Sequence, residues 1–188
     1  MVRDVQAGRL GKYLYYKANA QHPGIYEAYR VDVATGQTKQ LTQLGGMNDF
    51  KISPDETHLL LLHSDATAPP ELWIQPIESP ASKITQTVSD SFRGMPWVTP
   101  RFVTIPSRAG RPIHARLYLP PGKTTEQRAP AVLFIHGAGY LQNAHQGWSG
   151  YFREFMFHSL LAHRGFVVLD MDYRASAGYG RDWRTAIY

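Results

Sequence analysis

A short apolar segment that ends in a glycine-rich turn constrains the fold of this chain more than any other feature. Residues 131–135 read Ala-Val-Leu-Phe-Ile, and His-Gly-Ala-Gly follows at 136–139. Five apolar residues with a β-branched bias are typical of a buried parallel strand. Glycines let the chain turn sharply and leave backbone N–H groups uncovered. Such a turn at the carboxyl edge of a sheet suits an oxyanion hole, although an ordinary strand-to-loop turn has the same composition.

The sequence around this segment predicts an α/β unit. A hairpin is expected at 101–105 and 113–118, a helix at 151–163 that ends at Gly165, and a second buried strand at 166–172. Because a strand, a helix and a strand in this order form a right-handed crossover, the two buried strands are expected to pair in parallel. The helix is expected to present one stripe made of Phe152, Phe155, Met156, Ser159, Leu160 and His163.

The first half of the chain contains a repeat of short strands. Residues 29–43 resemble residues 72–86, which lie 43 residues further along, and 50–62 reads as two strands around a Ser-Pro-Asp-Glu turn. A period of roughly 40–45 residues is that of a four-stranded propeller blade, although a plain β-meander is an alternative. Because a blade buries its faces only against neighbouring blades, two copies cannot close a ring, and further blades are expected outside this sequence.

The composition limits the classes of partner and cofactor. The 188 residues are 43% hydrophobic, which fits a globular chain, and the net charge of +5 comes from scattered basic residues. We therefore expect no nucleic-acid partner. The chain has no cysteine, so disulfides and thiolate metal sites are excluded. No metal and no cofactor is expected, no apolar run is long enough for a membrane segment, and no signal peptide follows Met1.

Two motifs together resemble the prolyl oligopeptidase family of serine peptidases, and most of all its bacterial dipeptidyl-peptidase-like members. His-Gly-Ala-Gly at 136–139 follows one strand, and Asp-Tyr-Arg-Ala-Ser-Ala-Gly-Tyr-Gly at 172–180 follows the next. Members of this family have an amino-terminal β-propeller and a carboxy-terminal α/β-hydrolase domain. The resemblance implies that residues 1–95 are the last part of a propeller. Residues 96–188 would then be the first half of an α/β-hydrolase domain with a mostly parallel sheet.

The resemblance also implies roles for the two loops. The family's oxyanion loop corresponds to His136, Gly137, Ala138, Gly139 and Tyr140. The N–H groups of Gly137 or Ala138 are the best donor candidates, and Tyr140 lies near the place where some members use a tyrosine side chain. In the second loop, Asp172, Tyr173, Arg174 and Gly178 are expected to be structural. The family's serine, aspartate and histidine come later in the chain, so we expect a fragment that is cut before the nucleophile elbow.

One segment imitates a nucleophile elbow, the turn that carries the catalytic serine. Residues 147–151 read Gly-Trp-Ser-Gly-Tyr, but the second glycine that the motif needs is replaced by Tyr151, and no strand precedes Gly147. Ser149 is therefore expected to cap the following helix. A dinucleotide-binding fingerprint at 137–142 fails as well, because Gln142 replaces its third glycine.

The expected activity of the longer parent protein is hydrolysis of short peptides, as an exopeptidase or an oligopeptidase, with cleavage after proline as one option. The 188-residue chain alone is expected to be inactive and poorly soluble. Its partner would be a peptide substrate, and the parent's assembly into a homo-oligomer is left open, as is a periplasmic or cytoplasmic location. Two alternatives are a non-catalytic propeller-type interaction module and an esterase-type α/β-hydrolase.

Overall fold

A computed structural model of the chain describes residues 1–108, 110–137 and 140–186. The chain divides into two compact units. The first comprises Met1–Arg93 together with Gln146–Trp148, and the second comprises Gly94–His145 and Ser149–Tyr188. Within the described ranges, no helix has both the length and the apolar character that a bilayer crossing requires.

The first unit contains two four-stranded antiparallel sheets, in which each strand pairs with its neighbour in the sequence. The strands of the first sheet are β1 (Val2–Ala7), β2 (Tyr13–Ala18), β3 (Glu27–Asp32) and β4 (Thr38–Gln40). Those of the second sheet are β5 (Met47–Ile52), β6 (His58–Ser64), β7 (Glu71–Pro76) and β8 (Ser82–Lys83), and a short helix, α1 (Asp90–Arg93), follows. Turns this short permit only antiparallel pairing. Each sheet has the form and size of a propeller blade.

The core of the first unit lies between these two sheets. Its buried members are Tyr15, Ala28, Leu41, Phe50, Leu59 and Leu61. Because successive side chains of a strand point to opposite faces, the other face of β6 carries Leu60 and Leu62, which are 43% and 40% exposed. In register they lie opposite Ile74 and Leu72 of β7, which are also exposed. The second sheet therefore has one buried and one exposed apolar face.

The second unit contains one mixed sheet, whose strand order is β11-β12-β10-β9. Its elements are β9 (Arg101–Ile105), β10 (Ile113–Tyr118), β11 (Ala131–Ile135), α2 (Phe152–His163), β12 (Val167–Met171) and α3 (Arg181–Arg184). The predicted hairpin is confirmed by antiparallel β9 and β10, and the predicted parallel pair by β11 and β12. The prediction that 131–135 is buried is wrong, because β11 lies at one end of the described strand order and its Leu133 and Ile135 are 54% and 58% exposed.

The prediction of a mostly parallel sheet is wrong for the described strands. One of the three pairings is parallel, because β10 runs antiparallel both to β9 and to β12. The connection between β9 and β10 is a short turn, and parallel neighbours need a crossover of a dozen residues or more. A hairpin at this position therefore brings antiparallel strands into the sheet.

Helix α2 ends where the sequence predicts. Gly165 adopts a φ of 90°, a conformation that favours glycine, and its N–H donates to Ala162 O at 3.0 Å. The N–H of Phe166 donates to Leu161 O, also at 3.0 Å, which completes a Schellman motif.

Two finer predictions for α2 are wrong. The buried stripe consists of Phe155, His158, Ser159 and Ala162, whereas Phe152 and Leu160 are exposed. The helix is rotated relative to the predicted stripe, because His158 packs inward among aromatic rings. Ser149 does not cap the helix, whose N-cap residue is Tyr151. The Ser149 hydroxyl instead accepts a hydrogen bond from the N–H of Tyr151 at 3.0 Å and donates one to Asn143 Oδ1 at 2.7 Å.

Candidate functional site

Two loops leave the second unit's sheet at the same edge. Ile135 of β11 lies in parallel register with Met171 of β12, so the next residues, His136 and Asp172, emerge side by side. His136 Nε2 lies 3.0 Å from Asp172 Oδ1, and the two side chains are 1% and 0% exposed. The turn after β11 and the loop after β12 are therefore joined by a buried hydrogen bond between His136 and Asp172.

The Asp172 carboxylate accepts hydrogen bonds from three segments of the chain. Oδ1 accepts from His136 and, at 2.7 Å, from the N–H of Asn143. Oδ2 accepts from the N–H of Ala144 at 3.0 Å and from the hydroxyl of Tyr179 at 2.6 Å. Since a buried carboxylate needs hydrogen-bond donors to be tolerated, this set explains how Asp172 can be fully enclosed.

His136 has an acceptor at each ring nitrogen. Its Nδ1 lies 2.9 Å from the carbonyl oxygen of Gly137, and its Nε2 faces Asp172. The hydrogen bond to Asp172 is the largest cause that raises the pKa of His136 above its ordinary value, and burial opposes it. The ring of Tyr173 packs over the imidazole with the two ring centres 4.8 Å apart.

A serine also approaches this histidine, but the three residues do not form a catalytic triad. Ser176 Oγ lies 3.2 Å from His136 Nε2, the same nitrogen that faces Asp172. In a triad the serine and the aspartate bind opposite nitrogens of the histidine ring. The aspartate can then stabilise the imidazolium that forms when the histidine takes the serine proton. Ser176 is also buried, which keeps it from a substrate. The arrangement is structural.

A second buried carboxylate belongs to Asp170 of β12. Asp170 is two residues before Asp172, so the two side chains point to the same side of the sheet. Asp170 accepts from Asn143 Nδ2 at 2.8 Å and 2.6 Å, one bond to each carboxylate oxygen. Burial raises the pKa of Asp170 to about 6. His158 Nδ1 lies 3.9 Å from Asp170 Oδ2, beyond hydrogen-bond distance, and burial lowers the pKa of His158 to about 4. Asn143 thus links Asp170 of β12 to Asp172, which directly follows the strand.

The two loops also touch through their backbones. The N–H of Ala177 donates to Leu141 O at 3.0 Å. Gly178 adopts a φ of 97°, and a Cβ there would lie 2.3 Å from the side chain of Gln142. The positive φ favours glycine at this position, and the contact shows that Gly178 lies where the second loop packs on the first.

The remaining predicted residues are more dispersed. Gly137 is exposed directly after buried His136, and Tyr140 is exposed with its ring 5.5 Å from the Arg184 guanidinium. Ala138 and Gly139 lie outside the described residues. Arg174 is exposed and lines a separate pocket of about 220 Å³ with Arg111 and Trp183. Among the described residues, no group of three or more acidic and histidine side chains is placed to hold a metal ion.

Sequence reasoning did not identify Asn143, Asp170 or Tyr179 as hydrogen-bonding residues of the site. A usable signal existed for Asp170, because alternate residues of a strand share a face and Asp170 is two residues before Asp172. Asn143 gave no such signal, since it lies in an irregular loop and reaches the aspartates only in the folded chain.

Two protein families match separate parts of the chain. The family described as Dipeptidyl peptidase IV (DPP IV) N-terminal region matches residues 5–70, and the family described as BD-FAE matches residues 116–183. The first match falls on strands β1 to β6 of the two antiparallel sheets, and the second covers the strands and loops of the candidate site.

Similar curated proteins are peptidases. The uncharacterized peptidase YuxL of Bacillus subtilis is 27% identical over 75% of this chain, and dipeptidyl aminopeptidase BIII of Pseudoxanthomonas mexicana is 29% identical over 70%. Human dipeptidyl peptidase 8 is 25% identical over 94% of the chain. The chain spans only about a fifth of the length of these relatives, 20%, 19% and 20% respectively.

The crystal structure of Porphyromonas gingivalis dipeptidyl peptidase 4 has the same fold. It matches all of this chain and 26% of its own chain with a TM-score of 0.82, at 18% sequence identity. The comparisons therefore relate this chain to peptidases as a class. More narrowly, they confirm the resemblance to the prolyl oligopeptidase family, and within it to dipeptidyl-peptidase-like proteins.

Proposed function

We propose that this chain is part of a serine peptidase and supplies one side of its oxyanion hole. The observation that carries the proposal is the parallel pair of β11 and β12, which brings the loop after His136 and the loop after Asp172 to one sheet edge. The peptidase relatives support the reaction class. The Ser-His-Asp triad would come from parts of the parent protein that follow the second loop.

In that parent, a serine would attack the carbonyl carbon of a peptide bond while a histidine takes its proton. Negative charge then develops on the carbonyl oxygen, and backbone N–H groups must face it. Gly137 suits this task because it is exposed and has no side chain to cover its N–H. His136, Ala138, Gly139 and Tyr140 belong to the same proposed loop.

The proposed domain organisation follows the resemblance. Residues 1–95 would be the last blades of a β-propeller, and 96–188 the first half of an α/β-hydrolase domain. The division of the chain into compact units between Arg93 and Gly94 supports a boundary in this region. The proposed substrate is a short peptide, and dipeptidyl substrates with proline in the second position are the first to test.

The experiment compares the 188-residue chain with a longer protein expressed from the same reading frame. Both are incubated with a fluorophosphonate probe, a proline-containing dipeptidyl substrate and a simple ester. The short chain should neither be labelled nor turn over any substrate, and Ser149→Ala and Ser176→Ala variants should behave identically. The longer protein should be labelled at one serine and cleave the dipeptidyl substrate. Labelling of the short chain, or a longer protein that cleaves only the ester, would contradict the proposal.

A further inference from the structure

The Gly137 carbonyl is held by the ring of the residue before it, and that ring is held by Asp172. We propose that Asp172 is a positioning residue for the oxyanion loop, acting through a doubly protonated His136 that donates to Asp172 and to the Gly137 carbonyl. The inference rests on the proposed function for its meaning in catalysis. All the donors and acceptors of these hydrogen bonds lie within this chain.

The geometry requires two N–H donors on one imidazole. Both acceptors lie within hydrogen-bond distance, at 2.9 Å from Nδ1 and 3.0 Å from Nε2. A neutral imidazole carries only one N–H, so its other nitrogen would set a lone pair against the lone pairs of an oxygen. The imidazolium satisfies both acceptors. The arrangement is therefore complete only in the charged form of His136.

Holding the Gly137 carbonyl fixes the start of the oxyanion loop. The hydrogen bond from Nδ1 keeps this carbonyl on the side of the buried ring, although Gly137 itself is exposed. The described residues at the start of the loop, His136 and Gly137, therefore keep one orientation relative to the sheet edge, as a preorganised oxyanion hole requires.

The same carboxylate also holds the segment that follows the loop. Asp172 accepts from the N–H groups of Asn143 and Ala144, so the segment between His136 and Asn143 is anchored at both ends to one side chain. The second loop contributes Tyr179, whose hydroxyl binds Oδ2. Loss of the Asp172 charge should therefore loosen both the start of the oxyanion loop and the segment that follows it.

The groups that face His136 set the pH range of the effect. β12 and the loop after it present Asp172, Asp170, the Tyr173 ring and the Ser176 hydroxyl to the imidazole. Both carboxylates favour the imidazolium, and burial opposes it. Because the pKa of His136 is raised above 6.5, the arrangement is complete below that pH and is lost as the pH rises through the raised value.

The test is a nuclear magnetic resonance titration of the 188-residue chain from about pH 5 to about pH 9, a range that covers histidine ionisation. The two ring nitrogens of His136 and the carbonyl carbon of Gly137 are followed together. We expect both nitrogens to be protonated at low pH and the carbonyl shift to move with the same midpoint, above 6.5. A midpoint at or below 6.5, or a Gly137 carbonyl that does not follow the ring, would overturn the proposal.

Two variants separate charge from packing. Asp172→Asn keeps an oxygen acceptor for His136 but removes the charge, so the midpoint should fall and amide exchange at Asn143 and Ala144 should accelerate about tenfold or more. Tyr179→Phe removes one donor to the same carboxylate and keeps its charge, so the His136 midpoint should stay above 6.5. If Asp172→Asn fails to fold, the titration of the unmodified chain still tests whether His136 and the Gly137 carbonyl respond together. None of these measurements needs a catalytic serine, so they can fail independently of the proposed peptidase activity.

Discussion

Glu27 and Glu71 occupy equivalent positions in the two sheets of the first unit, each at the first residue of its sheet's third strand. Each carboxylate accepts a hydrogen bond from a threonine hydroxyl beyond the fourth strand, Thr42 and Thr85 respectively. Each threonine hydroxyl also accepts a backbone N–H from the third strand, at 2.9 Å in both sheets. The sequence repeat therefore preserves a hydrogen-bonded link that ties the outer segment of each sheet to its third strand.

Replacing Thr42 by valine should destabilise the first unit by about 2 kcal/mol, because the change leaves the buried N–H of Ala28 without its acceptor and removes a donor from Glu27. Urea denaturation followed by circular dichroism measures the loss. Thr85→Val is the matched control. Its backbone partner, Leu72 N–H, is exposed, so water can replace the hydroxyl and the loss should stay below about 1 kcal/mol. Equal losses at the two positions would contradict the assignment.

Replacing Gly165 by alanine should destabilise the second unit by about 1–2 kcal/mol, because the Schellman motif requires a positive φ that a Cβ disfavours. Gly150→Ala provides a control, since Gly150 lacks a positive φ and has open space where the Cβ would lie. Thermal unfolding should show a lower transition temperature for Gly165→Ala alone. A loss at Gly150 as large as that at Gly165 would show that space, rather than backbone conformation, limits both positions.

Replacing His158 by phenylalanine should protect the second unit against acid. His158 is buried between the rings of Tyr118 and Phe134, and its pKa of about 4 lies below its ordinary value of 6.5. The unfolded chain therefore takes up a proton at a higher pH than the folded chain does. The stability that neutral His158 contributes is fully present above 6.5 and is lost as the pH falls toward 4.

The measurement is the free energy of unfolding of both proteins at several pH values across that window. The raised pKa values of His136 and Asp170 act in the opposite sense, but both groups are present in both proteins. The difference between the two curves should therefore grow in favour of His158→Phe as the pH falls. Parallel curves would mean that His158 titrates normally in the folded chain.

Replacing Leu62 by lysine should reduce self-association of the chain without unfolding it. Leu62 lies on the exposed apolar face of the second sheet, directly opposite Asp49 in register, so a lysine there gains a cross-strand partner. Leu61→Lys is the control on the other face, where the side chain is fully buried and a charge should prevent folding.

Sedimentation velocity at several concentrations distinguishes these outcomes. The unmodified chain should form larger species as its concentration rises, and Leu62→Lys should shift this behaviour to higher concentrations. If both proteins sediment identically at every concentration, the exposed leucines do not drive association.

Local sequence patterns were sufficient for much of the fold. The apolar run at 131–135, the helix that ends at Gly165 and the run at 166–172 predicted the parallel pair, which is confirmed. The strand repeat of the first half appears as two four-stranded sheets. These features depend on side-chain periodicity and turn chemistry within a few residues, which the chain carries in its own order.

The arrangement of the candidate site required the tertiary structure. His136 and Asp172 were both singled out from the sequence, but their hydrogen bond follows from the register of β11 on β12, which no local pattern specifies. The inward position of His158 and the link through Asn143 likewise depend on how α2 and an irregular loop pack on the sheet. The sequence by itself therefore determined which elements form and which loops share an edge. Only the packing of residues far apart in the chain decided which polar groups meet, because a hydrogen bond depends on distances that are set when the sheet is assembled.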